Sequence, residues 1–101
     1  MVEKYIDGGS VGVLYSPGFG AGWSTWGDED MAVDKRLVEA FIRGGADACI
    51  SEAKNLYPSE YLGGGKDLQL TWVKLGSQFE IAEYDGDESV REIGKSSFRV
   101  A

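Results

Sequence analysis

Ser16-Pro17-Gly18-Phe19-Gly20-Ala21-Gly22-Trp23-Ser24-Thr25-Trp26-Gly27 is the stretch on which the fold turns. Its twelve residues hold four glycines, one proline, three large aromatics and three hydroxyls. Glycine permits positive φ and close backbone approach, while Phe and Trp bring large apolar bodies that need a core or a ligand. A loop with both properties either folds tightly onto the core or receives a ligand. As a ligand loop, its N–H groups can cradle an anion. Trp23, Trp26 or Phe19 can stack on a planar base, and Ser24 and Thr25 add hydroxyl donors. It is not a Walker loop, because the spaced glycines and the Lys-Ser/Thr pair are absent. Gly18-Phe19-Gly20-Ala21-Gly22 only partly imitates a dinucleotide fingerprint, and no long parallel unit follows it. In the structural alternative the aromatics cap the sheet and the glycines let the chain turn beneath them.

On the N-terminal side, Val11 to Tyr15 reads as a strand bounded by turn residues. Tyr5-Ile6 reads as a short edge strand before the Asp7-Gly8-Gly9-Ser10 turn. On the C-terminal side, Asp28, Glu29 and Asp30 stand where a helix should begin, so they suit helix capping better than a metal site. Met31 to Arg43 is predicted as that helix, with Leu37, Val38, Phe41 and Ile42 on its apolar side. Gly44-Gly45 ends it. A second helix is expected from Ala46 to Tyr57, with Ala46, Cys49, Ile50, Ala53 and Leu56 as its stripe and Pro58 as its stop.

Beyond the helices, Gly63-Gly64-Gly65-Lys66-Asp67 reads as a flexible loop. Leu68–Leu75 and Gln78–Tyr84 read as a hairpin through Gly76-Ser77, with Trp72 opposite Ile81. Asp85-Gly86-Asp87 is a further turn. Residues 88–93 are ambiguous between helix and strand, Gly94-Lys95 breaks the segment, and Ser96–Val100 reads as a final strand. The expectation is a single α+β domain over residues 1–101. Its sheet is antiparallel or mixed, of about four strands, with a two-helix pair packed on one face.

Composition narrows the chemistry. The 101 residues suffice for one core, which the apolar fraction of 43% can fill. There is no histidine, which excludes Ser-His-Asp and Cys-His catalysis and histidine metal sites. A single cysteine, Cys49, excludes an internal disulfide and fits a reducing compartment. The N-terminus lacks a signal-peptide pattern and no apolar run has membrane-span length, so a cytoplasmic protein is expected. The net charge of −7 disfavours direct nucleic-acid binding. The same charge suits a protein that imitates nucleic acid in a partner's basic groove.

Weighed singly, Cys49 sits on an apolar stripe and reads as inert core. Glu83, Asp85, Asp87 and Glu88 read as a solvated turn in preference to a calcium loop, or as part of an acidic surface with Glu80 and Glu92. Among the bases, Arg36 and Lys66 are best placed to meet an anionic group near the glycine-rich stretch. The candidate ligand-binding set is therefore Ser16, Phe19, Gly20, Gly22, Trp23, Ser24, Thr25, Trp26, Arg36 and Lys66. No catalytic residue, metal site or cofactor is expected.

The run Val13–Trp26, with the downstream Asp67–Tyr84 segment and its Tyr84-Asp85-Gly86 ending, resembles a group of small bacteriophage and prophage proteins. The resemblance implies a host bacterial cytoplasm and an action on host machinery, immune signalling included. The leading expectation joins the two lines. It is a non-enzymatic anti-defence protein that sequesters a small nucleotide-like signal through the Gly/aromatic loop, with a homo-oligomer completing the pocket. The alternatives are an acidic inhibitor that covers the basic groove of a host nuclease or similar defence complex, and a scaffold protein with the tryptophans in its core.

Overall fold

The computed structural model describes residues 2–93 and 99–100. Two three-stranded antiparallel sheets and one kinked helix make up the α+β fold. The first sheet has the order β1 (Ile6–Asp7), β2 (Ser10–Tyr15), β3 (Gln69–Lys74), and the helix α1 spans Lys35–Leu56. The second sheet places β4 (Gln78–Tyr84) between β5 (Asp87–Ile93) and β6 (Arg99–Val100). Residues 88–93 thus belong to a strand. The expected break at Gly94-Lys95 and the start of the last strand at Ser96 lie outside the described residues.

The strand pattern explains the layers. Successive strand residues point to opposite faces. In β2, Leu14 joins a core with Trp23, Met31, Leu37, Val38, Cys49, Ala53 and Leu68, on the side covered by α1. Val11 and Val13 point the other way and pack with Val73, Phe79, Ala32 and Val33, with Ile81 and Val90 alongside. The first sheet is therefore the middle layer, between the helix and the second sheet.

This corrects the expected hairpin. A turn does form at 74–77, where Ser77 N donates to Lys74 O at 3.0 Å. The strands on either side of it then part. β3 pairs with β2, placing Trp72 opposite Gly12, and β4 pairs with β5, placing Ile81 opposite Val90. The helix can cover only one face of the first sheet. The valine face needs a cover of its own, and the β4–β5 pair supplies it.

The helical region also differs from the expectation in its bounds. Glu29–Ala32 is a short 3-10 turn, whose cap Asp28 accepts from Asp30 N at 2.8 Å. The α-helix begins only at Lys35, behind the cap Asp34. As the Gly44-Gly45 pair predicts, the helical run is interrupted there: Gly45 (φ 74°, ψ −160°) is non-helical and divides Lys35–Leu56 into two arms that follow each other directly across a kink. Ile42, expected on the apolar side, is exposed.

The backbone at Gly45 lies in a region that only glycine occupies readily, and a Cβ there would meet nothing within 4 Å. Gly45→Ala should therefore destabilise through conformation alone, by about 1–3 kcal/mol. Urea unfolding should show a lower midpoint with an unchanged slope.

Candidate functional site

The glycine-rich stretch leaves β2 at Ser16 and reaches the 3-10 turn at Glu29. It is shaped by a residue the sequence reading assigned to a solvated turn. Glu88 is 1% exposed. It follows the tight β4–β5 turn, in which Asp85 (φ 52°) and Gly86 (φ 87°) both take positive φ, as a two-residue hairpin loop requires. Two residues on, Val90 packs into the valine core, so strand alternation sends Glu88 inward too.

The Glu88 carboxylate meets the loop's donors. Oε1 accepts from Ser16 N at 2.9 Å. Oε2 accepts from Trp23 N at 2.7 Å, Thr25 N at 3.0 Å and Thr25 Oγ1 at 2.5 Å. The Glu88 backbone N–H in turn donates to Ser16 O at 2.7 Å. A buried carboxylate is costly unless hydrogen-bonded, and here four donors compensate it. The loop does form an anion nest, and the anion is the chain's own.

The neighbouring segments close in on the loop. Gly20 N donates to Asp85 O at 2.6 Å. A Cβ on Gly86 would strike Ala21 N, and one on Gly64 would strike the Gly22 carbonyl. These glycines are needed for close backbone approach. The Gly63–Asp67 segment, expected to be flexible, is packed: Gly64 and Gly65 are buried and Gly65–Asp67 forms a 3-10 turn.

The candidate residues divide accordingly. Trp23 is fully buried, and its Nε1 donates to Met31 O at 2.9 Å. Ser16 and Gly22 are buried beside it. Ser24 is buried, and its Oγ has no hydrogen-bond partner among the described residues. Gly20 and Thr25 are exposed but bonded to Asp85 and Glu88. Phe19, at 69% exposure, and Trp26, at 41%, face outward. Trp26 stacks on Tyr61 with ring centroids 5.6 Å apart. The exposed Tyr84 adjoins the Asp85 turn that meets Gly20. Lys66 is exposed on the turn that packs against Gly22 and Trp23.

Arg36 is engaged elsewhere. It forks onto Asp34, Nε to Oδ1 at 3.0 Å and Nη2 to Oδ2 at 2.8 Å, while Tyr57 Oη donates to Oδ2 at 2.6 Å. Burial raises the Asp34 pKa, but the bonds from Arg36 and Tyr57 and the Arg36 charge outweigh it and hold the carboxyl below its ordinary value. Burial and the Asp34 carboxylate push the Tyr57 phenol up.

Nothing in this arrangement resembles an activated nucleophile. Cys49 is buried, and burial, with Asp34 and Glu52 nearby, pushes its thiol up to about 12. Glu83 Oε2 accepts from Gly86 N at 2.8 Å and so braces the turn. Among the described residues no cluster of carboxylates or thiols could hold a metal ion. Two clefts lie by the helix. One of about 450 Å³ is lined by Val2, Glu3, Asp34, Lys35, Arg36 and Glu39, and one of about 210 Å³ by Tyr5, Glu39, Ile42 and Arg43. Neither is lined by the 16–27 loop.

Sequence reasoning missed Glu88, Tyr61 and Tyr84. For Glu88 a signal existed: it shares strand phase with Val90, directly after an Asp-Gly turn.

Glu88→Ala should leave the buried N–H groups of Ser16 and Trp23 without an acceptor. The expected cost is roughly 3 kcal/mol or more, read from urea unfolding. Glu88→Gln, which keeps one acceptor oxygen, should cost less. Asp34 generates a pH dependence. Its folded pKa is depressed, so its stabilisation is present above the unfolded value near 4 and lost as pH falls through the folded value. Asp34→Asn should flatten the loss of Tm as pH falls below about 4.

No protein family, curated protein or solved structure matches the chain.

Proposed function

We propose that the chain is a non-enzymatic binding protein whose recognition surface is the aromatic rim of the 16–27 loop. The observation that carries this reading is the division of the loop into a locked interior and an exposed edge. Glu88 and the buried Trp23 hold the loop in one shape, which keeps the ordering cost of binding low. Phe19, Trp26 and Tyr61 are left outside, and aromatic side chains are enriched where a surface meets a partner. The tilted Trp26–Tyr61 pair offers a face to a planar group.

A nucleotide-like signal is one ligand with such a group. Its base would stack on Trp26 and Tyr61. Its phosphate would turn to Lys66, because the loop N–H groups already serve Glu88 and Arg36 serves Asp34. The resemblance to small phage proteins favours a host-defence molecule as the target. The absence of histidine and the deeply buried Cys49 thiol favour binding over catalysis.

Differential scanning with cyclic and ADP-ribose-type nucleotides tests the nucleotide form. Ligand at about 100 times Kd stabilises by about 2.7 kcal/mol, which raises Tm by roughly 10 °C or more in a domain of this size. Trp26→Ala should keep the fold and abolish the shift. Recovery of a chemically altered nucleotide would overturn the non-enzymatic reading.

A further inference from the structure

The charges around the rim point to its occupant. The stretches 16–30, 57–67 and 83–87 carry eight carboxylates outside Glu88 and one base, Lys66. Several of these acids stand beside the exposed rings. Glu60 reaches the backbone of Gly27, next to Trp26, and Asp28 follows it in the chain. The Asp67 carboxylate lies against Gly18, next to Phe19, and the backbone of Asp85 accepts from Gly20 N on its other side. Two stations result, each an exposed aromatic ring with a carboxylate held next to it in the chain: Trp26 and Tyr61 with Glu60 beside Gly27, and Phe19 with Asp67 against Gly18.

We infer that this rim docks an arginine-bearing basic segment of another protein, guanidinium groups stacking on Trp26 and Phe19 and bonding the adjacent carboxylates. The inference rests on the binding-surface reading above and names the chemistry of its partner. Guanidinium is planar and weakly hydrated, so it stacks on aromatic rings and forks onto carboxylates at once. Ammonium does the second and only weakly the first. Two stations along one loop suit a segment with spaced arginines better than a lone small cation. Charge argues against the other occupants. A second copy would bring its own ring of carboxylates, and a polyanionic nucleic acid would be repelled by the net charge of −7.

The test is a titration of the 15N-labelled full chain, at about 150 mM salt to screen diffuse attraction. The probes are Arg-Gly repeat peptides, the same peptides with Lys or Glu for Arg, and ADP-ribose. The three indole N–H signals report separately: Trp26 on the rim, Trp23 in the core as a check on folding, and Trp72 against Tyr5 on β3 as a control.

The inference expects saturable shifts at Trp26 and at residues 17–20, with the arginine peptide binding at least about fivefold tighter than the lysine peptide. Trp26→Ala should weaken binding about tenfold. Glu60→Lys with Asp67→Lys should weaken it as well, whereas Trp72→Ala and Glu52→Lys should not. Equal affinity for Arg and Lys, or binding unchanged by Trp26→Ala, would overturn the inference as generic charge attraction. ADP-ribose shifting Trp26 while the arginine peptide does not would overturn it and leave the rim as a binding surface. Silence of Trp26 towards every probe would overturn both.

Discussion

Four hydrogen bonds converge on the buried carboxylate of Glu88, three from the backbone and one from a hydroxyl. They tie β5, near the C-terminal end of the chain, to a loop that begins at residue 16. Much of the local architecture follows. For the loop N–H groups to reach one carboxylate, the loop must curl around it, and its flanks must come into backbone contact with the β4–β5 turn and the Gly63–Asp67 segment. Gly86 and Gly64 meet that demand, since a side chain at either would strike the loop backbone. The curl also carries Trp23 into the core, where its indole N–H finds the Met31 carbonyl.

Asp34 does a similar job at the helix. It caps α1, pairs through its backbone bridge with Lys4, and accepts from Arg36 and from Tyr57 at the far end of the same helix. Its backbone therefore ties the N-terminal segment to the helix start, and its carboxylate ties the two helix arms together across the break at Gly45. Two of the chain's acids are thus architectural, and each is buried because hydrogen-bond donors surround it.

An internal anion changes what a glycine-rich loop can do. Backbone N–H groups that would cradle a phosphate are already paired, so on the proposed reading recognition falls to what the locked loop holds outside. Those groups are rings and acids. Their combination favours a planar cation over a planar anion, because stacking is indifferent to the sign of the charge and the carboxylates are not.

Periodicity and turn chemistry by themselves determined the α+β class, the strand at Val11–Tyr15, the helical run to Pro58, the turns at Asp7–Ser10 and Asp85–Asp87, and the inertness of Cys49. These depend on neighbours within a few residues, where backbone sterics and side-chain phase decide. The loop at Ser16–Gly27 was legible as the candidate site, but which of its three rings stay outside was not. Tertiary structure alone decided the rest. Gln69–Lys74 and Gln78–Tyr84 each read as a strand of one hairpin, yet the valine face of β2 needed a cover and drew them into different sheets. Trp23 and Trp26 are alike in sequence, and only the direction in which Glu88 pulls the loop sends one inward and leaves the other out. Glu88 itself stands among acids that water would readily solvate. What singles it out is a set of donors 63 to 72 residues away in the chain, a distance over which local pattern carries no information and only packing does.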